Sequence, residues 1–168
     1  GNIGRVYSGQ GDYRKALNYY FRALKTHEEI GNKDGIARHL GNIGIVYEEQ
    51  DDHTKALDYY FKALKMAEEL GDKLEIARHL GNIGMVYHYQ KDYPKSLDYS
   101  FRALKMAEEL GDKLGIAIYL GNIGRVYTET GKFVKAEESL KKAIAISDSI
   151  GAINDLRLLE EALYQLYD

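Results

Sequence analysis

The sequence predicts an all-α protein, a solenoid of stacked antiparallel helix pairs, and three observations predict it. The tetrapeptide Gly-Asn-Ile-Gly begins at residues 1, 41, 81 and 121, an interval of 40 each time, and every copy runs on into Val-Tyr. Residues 41–80 and 81–120 differ at 12 positions, which leaves 28 of 40 identical. Self-similarity at this period marks a chain built from stacked supersecondary units. A single proline in 168 residues, with abundant Ala, Leu, Lys and Glu, favours helix nearly throughout. Breaks made of Gly followed by Asp or Asn return in the first three units, where Gly closes one helix in the left-handed conformation and the acid or amide caps the next.

Each unit then resolves into two helices. In the first, Ile36, Leu40, Ile43 and Tyr47 step by 4, 3 and 4 and share one stripe. The break after it is Gln10-Gly11-Asp12 in one copy and Gln90-Lys91-Asp92 in another; Pro94 falls in the first turn of the following helix, where its missing N–H is harmless. The second helix spans about residues 54–70, with Ala56, Leu57, Tyr60, Ala63, Leu64 and Ala67 inward and Asp58, Lys62, Lys65 and Glu69 outward. It stops at Leu70-Gly71-Asp72, repeated as Leu110-Gly111-Asp112 and more loosely as Ile30-Gly31-Asn32. Loops this short force antiparallel neighbours. Tyr7, Tyr47, Tyr87 and Tyr127 are assigned to the core, and Tyr19, Tyr59 and Tyr99 to packing rather than recognition. Residues 153–167, with Leu156, Leu159, Leu163 and Leu166, read as a closing helix.

Composition narrows the function. A net charge of -3 argues against nucleic acid, whose binding proteins cluster Lys and Arg to displace counterions. Cysteine is absent, so disulfides and thiolate metal sites are excluded. No apolar run reaches the ~18 residues a membrane helix needs, and the expectation is a cytoplasmic protein. The histidines, His27, His39, His53, His79 and His88, form no i, i+4 metal pair. Gly-Asn-Ile-Gly follows no strand and lacks a P-loop lysine, so no phosphate-binding loop, catalytic residue, metal or cofactor is expected.

The pattern Leu40, Ile43-Gly44, Tyr47, Ala56, Tyr60 and Ala63 resembles the tetratricopeptide repeat (TPR). With Leu40-Gly41-Asn42 and its copies, it looks like the 40-residue variety found in the spindle-orientation adaptors LGN and Pins. Kinesin light chains and bacterial sensor proteins are similar more loosely. The resemblance covers the whole chain and implies a right-handed superhelix whose first helices line a concave side. On this reading residues 1–168 form one array, with units 1–40, 41–80, 81–120 and 121–160 and a capping helix at 153–168. Gly1 falls inside a first helix, so the expectation is a segment cut from a longer array. In the last unit Glu137, Ser139 and Lys141 replace Leu57, Tyr59 and Phe61, and Ala162 stands where Asn would recur, as expected of a terminal unit.

Opposite the core stripe lie Arg38, Asn42, Ile45 and Glu49; their counterparts are Arg78, Asn82, Met85 and Tyr89, then Ile118, Asn122, Arg125 and Glu129, with Asn2, Arg5 and Gly9 in the first copy. An amide offers both a donor and an acceptor, so Asn2, Asn42, Asn82 and Asn122 suit the backbone of an extended peptide. Helices pack roughly 10 Å apart, close to three extended residues at about 3.3 Å each. Arg5, Arg38, Arg78 and Arg125 suit acidic side chains, and Ile45, Met85, Tyr89 and Ile118 an apolar socket. Glycine costs roughly 1 kcal/mol relative to Ala inside a helix. Gly44 is therefore read as permitting close helix contact, and Gly41 as room for a ligand backbone.

Other readings of the same residues stay open. The Asn ladder can bridge neighbouring helices, and the arginines can pair with Glu48, Glu49 or Glu129 on a solvated face. Against a peptide-binding module with an acidic and apolar protein partner stand two alternatives. One is a structural array that self-associates end to end through Ile3, Val6, Leu17 or Tyr20, and the other is a sensor segment regulating an enzyme elsewhere in a longer chain.

Overall fold

The computed structural model describes residues 2–164 and 166, without the side chains of 153–156. The described residues form helices and short turns: α1 (Asn2–Gly9), α2 (Tyr13–Glu29), α3 (Lys33–Glu49), α4 (His53–Leu70), α5 (Lys73–Tyr89), α6 (Tyr93–Leu110), α7 (Lys113–Glu129), α8 (Phe133–Ser149) and α9 (Ile153–Tyr164). They group into two compact units, residues 1–79 and 80–168, with the division inside α5. Among the described residues no helix is long and apolar enough to cross a membrane.

The predicted breaks form as the residue types require. Asp12, Asn32, Asp52, Asp92 and Asp112 each accept a hydrogen bond from the backbone N–H three residues on, satisfying a donor that the new helix cannot pair internally. Pro94 sits in the first turn of α6. Gly71 and Gly111 close their helices at φ 69° and 67°. Where Gly11 and Gly131 recur as Asp51 and Lys91, the same positive φ is held by side-chain-bearing residues, at 58° and 59°.

In the first unit α1 packs on α2, α2 on α3 and α3 on α4. Its core joins Ala16, Tyr20 and Leu24 of α2 with Leu40, Ile43 and Val46 of α3 and Ala63 of α4. The glycines of the first helices are sockets in this packing. A Cβ at Gly44 would lie 2.7 Å from the ring of Tyr60, and one at Gly4 would lie 2.6 Å from Tyr20. In the second unit α6 packs on α7, α7 on α8, and α8 on α9, which also touches α7. There Gly84 receives Ser100 and Gly124 receives Leu140. Leu159, Ala162 and Leu163 of α9, and Leu166 in the turn beyond it, pack with Leu140, Ala143 and Leu120. The side chain of Leu156, also predicted to close the fold, and residues 165 and 167 lie outside the described residues.

Two expectations are corrected. Tyr7, Tyr47, Tyr87 and Tyr127 are half-buried rather than core. The first three stack face to face on Tyr19, Tyr59 and Tyr99, with ring centroids 5.5, 5.4 and 5.6 Å apart, so each pair shields one face and leaves its polar edge wet. The open edge foreseen at α1 and α2 is narrower than expected: Ile3 and Val6 are exposed, Leu17 is half-buried and Tyr20 is buried.

Candidate functional site

In the first unit the faces of α1, α3 and α5 turned from the core converge on a cavity of about 590 Å³. Asn2 and Arg5 come from α1, Arg38 and Asn42 from α3, and Arg78 from the part of α5 in this unit; these are five of the twelve residues singled out in the sequence. Their helices place them there because Arg38 and Asn42, four residues apart, lie one turn from each other on α3.

The second unit collects three more of the twelve. Ile118, Asn122 and Arg125 of α7 border a cavity of about 90 Å³ together with Leu158 and Leu159 of α9. The remaining four, Ile45, Asn82, Met85 and Tyr89, line neither cavity; the first three are half-buried and Tyr89 is exposed. The apolar residues thus do not gather in one place, since Ile118 faces Leu158 and Leu159 without Ile45, Met85 or Tyr89.

Among the described residues no side-chain hydrogen bond engages Asn42, Asn82 or Asn122, and none of the three is fully buried. Their carboxamides therefore carry both donor and acceptor capacity toward solvent. The arginines find other carboxylates than those considered above. Arg38 pairs with Asp34 one turn back at 2.7 Å, and Arg78 pairs with Glu75. Glu48 accepts from the Tyr60 hydroxyl at 2.6 Å, Glu49 from Ser8 at 2.5 Å, and Glu129 from His88 and Tyr93 at 2.8 and 2.9 Å. Arg5 and Arg125 have no ion pair among the described residues.

Three further residues, His27, His39 and Glu75, line the larger cavity and were not singled out in the sequence. Glu75 is the sole carboxylate in that lining. The buried imidazole of His79, whose Nε2 lies 3.5 Å away, and the hydrogen bond from Arg78 pull its pKa down to about 2, so it stays ionised. His39 donates from Nδ1 to the carbonyl of Gly35 at 2.7 Å, and burial lowers its pKa and keeps it neutral. The repeated Arg-His at 38–39 and 78–79 is the signal that could have found this histidine. The lining thus holds three guanidiniums and one carboxylate, and two of the three guanidiniums are already paired, Arg38 with Asp34 and Arg78 with Glu75.

The room expected beside Gly41 for a ligand backbone is occupied by protein. A Cβ there would lie 2.7 Å from Cε1 of His79, and the equivalent space at Gly81 is filled by Tyr119 and at Gly121 by Leu159. The glycine is a packing socket because the residue 38 positions later, on the next first helix, projects into it.

Among the described residues no group of His and acidic side chains is arranged to hold a metal ion. A family model described as "Tetratricopeptide repeat" matches residues 1–69 and 75–149. A search of curated protein sequences finds no match. Solved structures do match. BtubC (BKLC) from P. vanneervenii is 21% identical with a TM-score of 0.78, over 98% of this chain and 72% of that one. Aspartyl phosphate phosphatase F from Bacillus subtilis is 20% identical with a TM-score of 0.89, over 99% and 47%. A Rap protein complexed with competence and sporulation factor is 20% identical with a TM-score of 0.87, over 99% and 50%. This chain therefore spans about half the length of the latter two.

Proposed function

Because the chain belongs to the tetratricopeptide repeat family, we propose that it is a protein-interaction module that holds an extended, acidic segment of a partner protein. The observation that carries this reading is the cavity of the first unit, where Asn2, Asn42, Arg5, Arg38 and Arg78 converge on a space lined by one carboxylate. In the proposed complex the carboxamides of Asn2 and Asn42 pair with backbone N–H and C=O groups whatever the peptide's sequence. The guanidiniums select its carboxylates. Within the second unit Asn82 and Asn122 offer the same pairing groups, and Ile118 and Arg125 supply an apolar and a cationic contact. The solved Rap protein gives one example of a similar fold complexed with another factor, competence and sporulation factor. The proposed role is binding, without catalysis, for a chain working in the cytoplasm.

Titration of a fluorescein-labelled peptide of alternating Asp and Ala, against its Asn-containing counterpart, tests the reading. We expect the acidic peptide alone to bind, with affinity falling as salt rises. Asn42→Ala combined with Asn82→Ala should weaken it while the circular dichroism stays helical. Equal binding of both peptides, or unchanged affinity in the folded double variant, overturns the proposal.

End-to-end self-association is the second reading. It rests on Ile3 and Val6 of α1, which are 55% and 57% exposed. Light scattering against concentration separates the two: a chain that stays monomeric at high concentration excludes it.

A further inference from the structure

Three times the chain builds the same outer assembly, and the fourth time it omits two of its parts. Tyr47 stacks on Tyr59, and the ammonium of Lys55 lies 5.1 Å from the Tyr47 ring while pairing with the capping Asp52 at 2.7 Å. Asp12, Lys15, Tyr7 and Tyr19 repeat this, with Lys15 at 5.0 Å from the ring and 2.8 Å from Asp12. Asp92, Lys95, Tyr87 and Tyr99 repeat it again at 4.9 and 2.8 Å. The edge of Tyr59 also meets Phe21 of the preceding second helix, with centroids 6.0 Å apart.

In the last copy Tyr127 and Lys135 stand in their usual places, with the ammonium 5.7 Å from the ring. The second ring is missing, because its position is Ser139, whose hydroxyl turns back to donate to the carbonyl of Lys135 at 2.8 Å. The capping carboxylate is missing too, because its position is Lys132, which lies 5.9 Å from the same ring and makes no side-chain cap. Among the described residues neither Lys132 nor Lys135 has a carboxylate at ion-pair distance. A groove of about 710 Å³ opens beside Ser139, and its lining includes Tyr127, Lys135 and Phe101, the counterpart of Phe21. Phe101 is 45% exposed.

We propose that this groove takes an aromatic side chain next to a carboxylate, presented by a partner protein. The three complete assemblies show what fits: a tyrosine ring stacked on the retained tyrosine, with a carboxylate on the retained lysine. The partner replaces what Ser139 and Lys132 remove. Its ring would lie against Tyr127 and edge-on to Phe101, and its carboxylate would meet Lys135 and Lys132, which no carboxylate among the described residues pairs; of the acids in the lining, Glu138 is held by Lys142 at 2.7 Å, and Glu108 is the other. This inference is independent of the arginine-lined cavity, with which it shares no residue.

The test is amide-detected NMR of the whole chain titrated with acetyl-Asp-Tyr-amide. Saturable shifts should centre on the amides of Phe101, Tyr127 and Ser139. Acetyl-Asn-Tyr-amide should bind about two- to fivefold more weakly, the worth of an exposed ion pair, and acetyl-Asp-Ala-amide should leave these amides in place. Ser139→Tyr supplies the ring from within and should abolish the response. Lys135→Met, which keeps the groove should the tyrosine variant fail to fold, should reduce the preference for Asp over Asn, and Lys135→Met with Lys132→Met should remove it. No saturable shift, an equal response to the Ala dipeptide, or an unchanged response in folded Ser139→Tyr overturns the proposal. If the same amides shift on concentrating the chain without probe, a second copy fills the groove and the assignment to a partner fails.

Discussion

The imidazole of His79 fills the space that Gly41 leaves beside its backbone: a Cβ on Gly41 would come within 2.7 Å of the ring's Cε1. His79 is fully buried, so the ring cannot swing aside. Gly41→Ala should therefore destabilise the fold by about 1–2 kcal/mol, overpacking outweighing the roughly 1 kcal/mol that alanine gains as a helix former. Urea denaturation checks the sign. Adding His79→Ala should make the double variant more stable than the sum of the two single losses predicts, because the clash is then removed.

Glu75 makes stability depend on pH in a defined window. Its folded pKa of about 2 lies below the ordinary 4.5, so the ionised form is favoured in the fold. The contribution is fully present above pH 4.5 and is lost as pH falls from there toward about 2. Burial lowers the pKa of His39, so the unfolded chain gains a proton first and stability also declines as pH drops below the ordinary 6.5. Glu48, raised by burial, acts in the opposite sense near its own range. Glu75→Gln should be less stable than the parent at neutral pH and converge with it near pH 2. Thermal melts across that range read the difference.

The arginines of the cavity should contribute unequally to an acidic ligand. Arg38 and Arg78 already hold Asp34 and Glu75, whereas Arg5 has no carboxylate among the described residues. Arg5→Ala is expected to weaken the acidic peptide more than Arg38→Ala. Glu75→Gln, which removes the carboxylate from the lining, should tighten it severalfold at low salt. Peptide anisotropy measured for the three variants checks the order; a weaker Glu75→Gln complex would count against an anionic ligand.

Lys91 holds a left-handed backbone, φ 59°, at the turn where Gly11 and Gly131 serve in other copies. A side chain there strains the backbone, by about 1–2 kcal/mol, part of which glycine returns through its freer unfolded state. Lys91→Gly should raise stability by about 0.5–1 kcal/mol. Asp51→Gly, at φ 58°, should act alike, and chemical denaturation of both measures it.

The 40-residue period, the caps at Asp12, Asp92 and Asp112, the core stripe through Leu40 and Ile43 and the socket at Gly44 were legible in the chain, because each depends on contacts within a helix or between adjacent helices. So was the shared face of Arg38 and Asn42, which follows from helical spacing alone. How many of those faces meet in one cavity was not legible, nor was the entry of His27, His39 and Glu75 into it. Those depend on how first helices from different repeats lie side by side.

The sequence by itself determined which residues are helical, where each helix stops and which side of it is apolar, since these are set by local propensity and period. Only the tertiary structure decided that His79 rather than a ligand occupies the space at Gly41, that Arg38 and Arg78 are held by acids of their own helices, and that Ser139 leaves a groove beside Tyr127. The physical reason is that helical spacing says which residues share a face but not which rotamer each side chain takes or which neighbour fills a given space, and at Gly41 that neighbour lies 38 positions away.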